Sequence, residues 1–124
     1  MITAEQLNET VRVEVEKKCS DYLGTEISEA LMAHKYERCY VLEECDNKTD
    51  NKHEVLLWLA KKALKRELDG LDESSSGVQE MLKIGTEFIG KTLTTAGFDI
   101  QIYTEEYLEE KENAPAKIIS CIVW

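Results

Sequence analysis

Ile118-Ile119-Ser120-Cys121-Ile122-Val123-Trp124 is a short apolar run rich in β-branched residues, set behind Pro115. Seven residues are too few for a core helix and suit a strand. Successive strand side chains point to opposite faces, and here both faces are apolar. Such a strand is central in a sheet or covered by a partner. If Trp124 is the natural end, it is a candidate aromatic anchor at a dimer interface, although an ordinary core strand explains the run equally simply.

Working outward, Phe98, Ile100 and Ile102 alternate with Asp99, Gln101 and Tyr103, the period of a half-buried strand. Between the two strands, 105–113 is strongly acidic, with room for a helical turn pairing Tyr103 with Tyr107. A third strand is expected over 38–44, around Cys39-Tyr40-Val41-Leu42, followed by a polar turn at 46–51.

The rest of the chain reads as helix. Thr3 is a candidate N-cap with Gln6 at the capping-box position, and Ile2 can staple onto Leu7. Leu7, Val11, Val15 and Cys19 recur every four residues, with Tyr22 and Leu23 completing an apolar face and Gly24 as a stop. Thr25 is expected to cap a second helix, with Ile27, Ala30 and Leu31 on its apolar face, ending near His34. Asn51 and Glu54 open a third, running to Asp69, with Leu56, Leu59, Ala60, Ala63 and Leu64 inward and Gly70 closing it. After the loop 71–77, a fourth spans about 78–96 and stops at Gly97. Its Gly85 and Gly90 each weaken it by about 1 kcal/mol relative to alanine, which close approach of a neighbouring backbone would explain. The expected fold is one α+β domain over 1–124, order ααβααββ, with about four helices packed on a small antiparallel sheet of about three strands.

The 124 residues are 43% apolar, enough for a core, and carry a net charge of −10. Such a surface repels phosphate, so direct contact with nucleic acid or an anionic membrane is not expected. The start at Met1-Ile2-Thr3-Ala4-Glu5-Gln6 lacks a basic stretch and an apolar stretch, so no secretory leader is expected, and no apolar run reaches membrane length. The expected setting is cytoplasmic, with Cys19, Cys39, Cys45 and Cys121 reduced. Cys19 and Cys121 read as small core hydrophobes.

Gly85-Thr86-Glu87-Phe88-Ile89-Gly90-Lys91-Thr92 matches the phosphate-loop pattern G-x-x-x-x-G-K-[ST], in which backbone N–H groups cradle phosphates. That motif needs a strand before it and a long helix after it. Residues 78–84 have helical spacing instead, so a chance match inside an amphipathic helix is the reading taken. His34, Cys39, Cys45 and His53 lack zinc-knuckle spacing, and neither metal nor cofactor is expected. A cysteine–histidine nucleophile would need residues brought together in space. The neighbouring pairs Glu43-Glu44 and Glu105-Glu106 point to opposite faces of a strand, which is no basis for acid–base work.

Charge patterning remains. Lys61, Lys62, Lys65 and Arg66 form a basic patch on the third helix, and Lys61, Lys65 and Arg66 with Lys91 are a candidate anion site. Glu105, Glu106, Glu109, Glu110 and Glu112 form an acidic segment, and Glu43, Glu44 and Asp46 add a second. The expectation is a non-enzymatic interaction protein of the inhibitor, immunity or accessory kind. It would bind a partner's basic surface by charge matching through these glutamates and Trp124, with a homodimer expected. Two alternatives are a small anionic-ligand or nucleotide-binding protein with an interfacial site, and an assembly subunit of a homo-oligomer.

Overall fold

A computed structural model describes residues 1–42, 45, 51–105 and 117–124, with the backbone alone at 104, 105 and 117. The elements run α1 (Ala4–Tyr22), one π-helical turn (Leu23–Ile27), α2 (Ser28–Ala33), β1 (Cys39–Val41), α3 (Lys52–Ala63), α4 (Lys65–Leu68), α5 (Ser76–Thr95), β2 (Asp99–Glu105) and β3 (Lys117–Val123). Taking α3 and α4 as one helix bent at Leu64, the order is ααβααββ. The protein is α+β, with its helices packed on a three-stranded antiparallel sheet.

The apolar run 118–124 supplies the central strand, since the sheet order is β1-β3-β2. Pairing is antiparallel on both sides. Tyr40 and Ile100 flank Ile122, and Val41 and Gln101 flank Cys121. Strand alternation therefore sorts Tyr40, Leu42, Ile100, Ile102, Ser120 and Ile122 to the helix-covered face, where Leu42, Ile100, Ser120 and Ile122 are buried. Cys39, Val41, Gln101, Tyr103, Ile119, Cys121 and Val123 share the outer face.

Between the sheet and the helices, Val15, Cys19, Leu23, Ile27, Val55, Leu59, Ala60, Leu64, Ile89 and Leu93 close one core. Gly85 is where α5 meets both α1 and α3. A Cβ there would lie 3.3 Å from Ala60 Cβ, Cys19 Sγ and Leu64 Cδ1 alike. At Gly90 it would meet one atom, Leu56 Cδ1, at 3.1 Å. The glycines are thus packing positions inside α5, and Gly70 and Gly97, at φ +78 and +91, end α4 and α5 in left-handed conformations.

Two expectations at the N-terminal helix are corrected. Gly24 does not stop it, and Thr25 is not an N-cap: its hydroxyl donates to the Asp21 carbonyl at 2.7 Å, four residues back along the helix. The buried positions Val15, Cys19, Leu23 and Ile27 are spaced by four, and that stripe drifts around a helix of about 3.6 residues per turn. The wider π turn absorbs the drift and keeps Ile27 inward. Secondly, the apolar stripe does not reach the core along its whole length: Leu7 and Val11 are 51% and 36% exposed. On the α3 side the physical reason is length: α1 has 19 residues against 12 in α3, about 28 Å against 18 Å.

The expected strand 38–44 is ordered as β1 over three residues, with 43 and 44 outside the described residues. The helical turn expected to join Tyr103 to Tyr107 falls there too, except that Tyr103 belongs to β2, paired with Ile119.

Candidate functional site

Residues 4–14 of α1 are all exposed, and the buried positions begin at Val15. Three turns of helix therefore stand clear of the core. They are held by local interactions. The Thr3 hydroxyl accepts from Gln6 N at 3.1 Å while the Gln6 side chain accepts from Thr3 N at 2.9 Å, a complete capping box. Arg12 donates to Glu9 at 2.7 Å and lies 4.0 Å from Glu16. The hydrogen bond from Arg12 holds the Glu9 carboxyl below its ordinary value.

This arm and the start of α5 form the two walls of a groove of about 1150 Å³, with Val11 on one side and Val78, Met81 and Ile84 on the other. Leu71, 51% exposed, closes one end from the loop after α4. Leu7 stands on the same side of α1 as Val11 and Lys18, by helical spacing. Lys18 reaches Glu67 of α4 at 3.4 Å, so that side looks toward α4 and the Leu71 loop. The loop itself is built by Asp72, whose carboxylate accepts from Ser74 N and Ser74 Oγ at 2.9 and 2.7 Å. Those two bonds hold the Asp72 carboxyl below its ordinary value.

The rim of the groove is acidic. Glu5, Glu9, Asp72, Glu80 and Glu87 line it against Arg12 and Lys83, and Arg12 is already paired with Glu9. An apolar trough between two helices with carboxylates along both edges suits a third, amphipathic helix carrying basic flanks.

A second hollow, of about 640 Å³, opens beside β1 among Tyr22, Glu26, His34, Tyr40, Trp58 and Lys62. His34 Nδ1 lies 2.8 Å from Glu37 Oε2, its ring is 5.3 Å from that of Tyr40, and Lys62 Nζ is 5.2 Å from the Trp58 ring centre. Cys39 borders this hollow, but its side chain projects from the opposite face of β1 to Tyr40. The strand therefore separates the Cys39 thiol from the His34 ring stacked there, and no cysteine–histidine pair is assembled at this point. Cys45 packs on the core, and His53 is exposed in the first turn of α3. Among the described residues, no three His, Cys, Asp or Glu side chains converge as metal ligands would.

The other sequence candidates fall as follows. Glu105 is the last residue of β2, its backbone opposite Lys117. Glu106, Glu109, Glu110 and Glu112, like Glu43, Glu44 and Asp46, lie outside the described residues. Trp124 packs edge-to-face on Phe98, with ring centres 5.8 Å apart. Lys61 reaches Glu73 at 3.8 Å. Lys65 and Arg66 border one shallow depression with Lys18 and Asp21, whereas Lys91 borders another with Arg12 and Glu16. The four basic residues are thus divided between different places. Gly85–Thr92 lies wholly within α5, so its backbone N–H groups serve helix bonds and cradle nothing.

Sequence reading missed Val11, Leu71, Met81, Glu80 and Glu87 as a set. The apolar spacing of α1 is the same on its buried and exposed turns, and nothing local marks where cover by other helices ends.

No described helix is long and apolar enough to cross a membrane. Neither protein-family models, nor curated proteins, nor solved structures give a match to this chain.

Proposed function

We propose that this chain is a non-enzymatic protein-interaction module that docks an amphipathic, basic-flanked helix of a partner protein in the α1–α5 groove. It acts as an inhibitor, immunity or accessory protein does, by occupying its partner's surface. The observation that carries this is the exposed arm. Three helical turns present Leu7 and Val11 to solvent beside an apolar trough with an acidic rim. Apolar surface left uncovered in this way is a mark of docking surfaces. The net charge of −10 adds long-range attraction for a basic partner, and the acidic run Glu105, Glu106, Glu109, Glu110 and Glu112 belongs to the same proposal.

The test uses a designed Leu/Lys amphipathic helical peptide as probe and an acidic Leu/Glu peptide of the same pattern as control. Amide NMR shifts should move at Val11, Leu71, Met81 and Ile84 with the basic peptide alone. Affinity should fall with added salt and be lost in Val11→Asp, whose melting temperature should match the parent because the site is already exposed. Shifts spread over the whole surface, or equal binding of both peptides, would sink the proposal. Replacing Glu105, Glu106, Glu109 and Glu110 by lysine tests the contribution of that run: unchanged affinity removes it from the interface.

One observation favours a second reading, a homodimer through the outer face of the sheet. Val41 and Tyr103 are 39% and 48% exposed there, beside half-buried Ile119 and Val123. A face whose centre carries no charge is where two copies of charge −10 meet with least repulsion. Sedimentation velocity of the parent and of Val41→Lys decides it: a monomer at all concentrations ends this reading.

A further inference from the structure

We propose that Cys39 and Cys121 are an oxidisable thiol pair, a modification site at which a low-molecular-weight disulfide such as oxidised glutathione converts two neighbouring strand cysteines into one cross-strand disulfide. Cys39 lies opposite Val123 and Cys121 opposite Val41. The two cysteines therefore share the outer face of the sheet, one diagonal step apart on adjacent strands. Trp124 N donates to Arg38 O at 3.2 Å and Leu42 N to Ser120 O at 2.8 Å, so the hydrogen-bonded rows are those of 38 with 124 and 42 with 120. Positions 39 and 121 consequently lie in neighbouring rows without backbone bonds, on a diagonal across which side chains still interact. Cys39 is near enough to Cys121 to help raise its thiol, after burial.

Their surroundings differ in a way that divides the chemistry. Cys39 is half-buried and Cys121 is 2% exposed. Burial pushes the Cys121 thiol up to about 11, which makes it a poor first nucleophile. Cys39 as thiolate attacks one sulfur of the reagent, forming a mixed disulfide and releasing one thiolate. The Cys121 sulfur then attacks the Cys39 sulfur, breaking the mixed disulfide. The second thiolate leaves and takes up the Cys121 proton. Two protein thiols lose two electrons in all, and the reagent is reduced to two thiols. The product adds a covalent tie between the three-residue edge strand β1 and the central strand to the backbone bonds that pair them. The same bond anchors Tyr40 and the wall of the aromatic hollow behind it.

The test takes the full chain through a series of oxidised-to-reduced glutathione ratios, quenches with an alkylating reagent under denaturing conditions, and maps disulfides by peptide mass spectrometry. The expected result is one internal disulfide joining the Cys39 and Cys121 peptides, with Cys19 recovered as an alkylated free thiol. Oxidation should raise the melting temperature, because the bond closes a loop spanning most of the chain, and a dithiol reductant should reverse the rise. In Cys121→Ala the reaction should stop at a glutathione adduct on Cys39, and in Cys39→Ala no adduct should form at Cys121. A stable Cys39 adduct in the parent, or a disulfide mapped to another pair, would overturn the proposal. The parent map stands without the variants, so a variant that fails to fold leaves the test intact.

Discussion

Replacing Gly85 by alanine and, separately, Gly90 by alanine tests whether 85–92 is a packed helix surface. Both changes raise helix propensity by about 1 kcal/mol. At Gly85 the new methyl meets three atoms at 3.3 Å: Ala60 Cβ, Cys19 Sγ and Leu64 Cδ1. All three residues are fully buried, and Ala60 Cβ is fixed to its backbone and cannot turn aside. Overpacking of this kind costs about 1–3 kcal/mol. It outweighs the propensity gain, for a net loss of about 1 kcal/mol, or a melting temperature lowered by about 3–5 °C for a chain of this size. At Gly90 the only near atom among the described residues is Leu56 Cδ1 at 3.1 Å, the tip of a half-buried side chain that can rotate away. There the propensity gain should prevail by about 0.5 kcal/mol. Urea unfolding followed by circular dichroism reads both differences. Equal stabilisation by the two substitutions would refute the close packing of α5 on α1 and α3. It would reopen the question of why glycine stands at both positions.

Three further outcomes follow from single observations. Thr86 is 3% exposed and its hydroxyl has no hydrogen-bond partner among the described residues, so Thr86→Val should stabilise the protein by about 1 kcal/mol, read as a higher urea midpoint; a loss would show that the hydroxyl is satisfied. Thr3→Ala removes the capping box from an arm outside the core, so hydrogen exchange should quicken over 4–14 while the global unfolding midpoint holds; a shifted midpoint would tie the arm to the core. Burial raises the thiols of Cys19 and Cys121 from 9.0 to about 11. The folded state keeps both protons where the unfolded chain releases them, so stability is full below pH 9 and falls as pH rises toward 11. Cys19→Ala should flatten part of that fall in melting curves taken across the range, and an unchanged slope would remove Cys19 from the account.

Much of the fold was legible because its signals are local. The period-two alternation at 98–103, the apolar run at 118–124, the cap at Thr3 and the stops at Gly70 and Gly97 each depend on residues within a turn or two of one another. The acidic balance was equally plain. The break expected at Gly24 was misread because a glycine after an apolar stripe is a common helix end, whereas here Leu23 and Ile27 must both reach the core. Leu7 and Val11 were misread because an apolar stripe says which side of a helix is apolar and not what covers it.

By itself, then, the sequence determined the α+β class, the element order, the strand at 118–124 and the sign of the surface charge, since these follow from periodicity, capping and composition, while the central place of that strand came from the sheet order. Only the tertiary structure decided that the first turns of α1 are left uncovered and bare Leu7 and Val11, that Leu71, Met81 and several carboxylates gather beside Val11, and that Cys39 and Cys121 share one face of adjacent strands. Each of these joins residues distant in the chain, and their meeting is set by helix lengths and strand register, which no local pattern encodes.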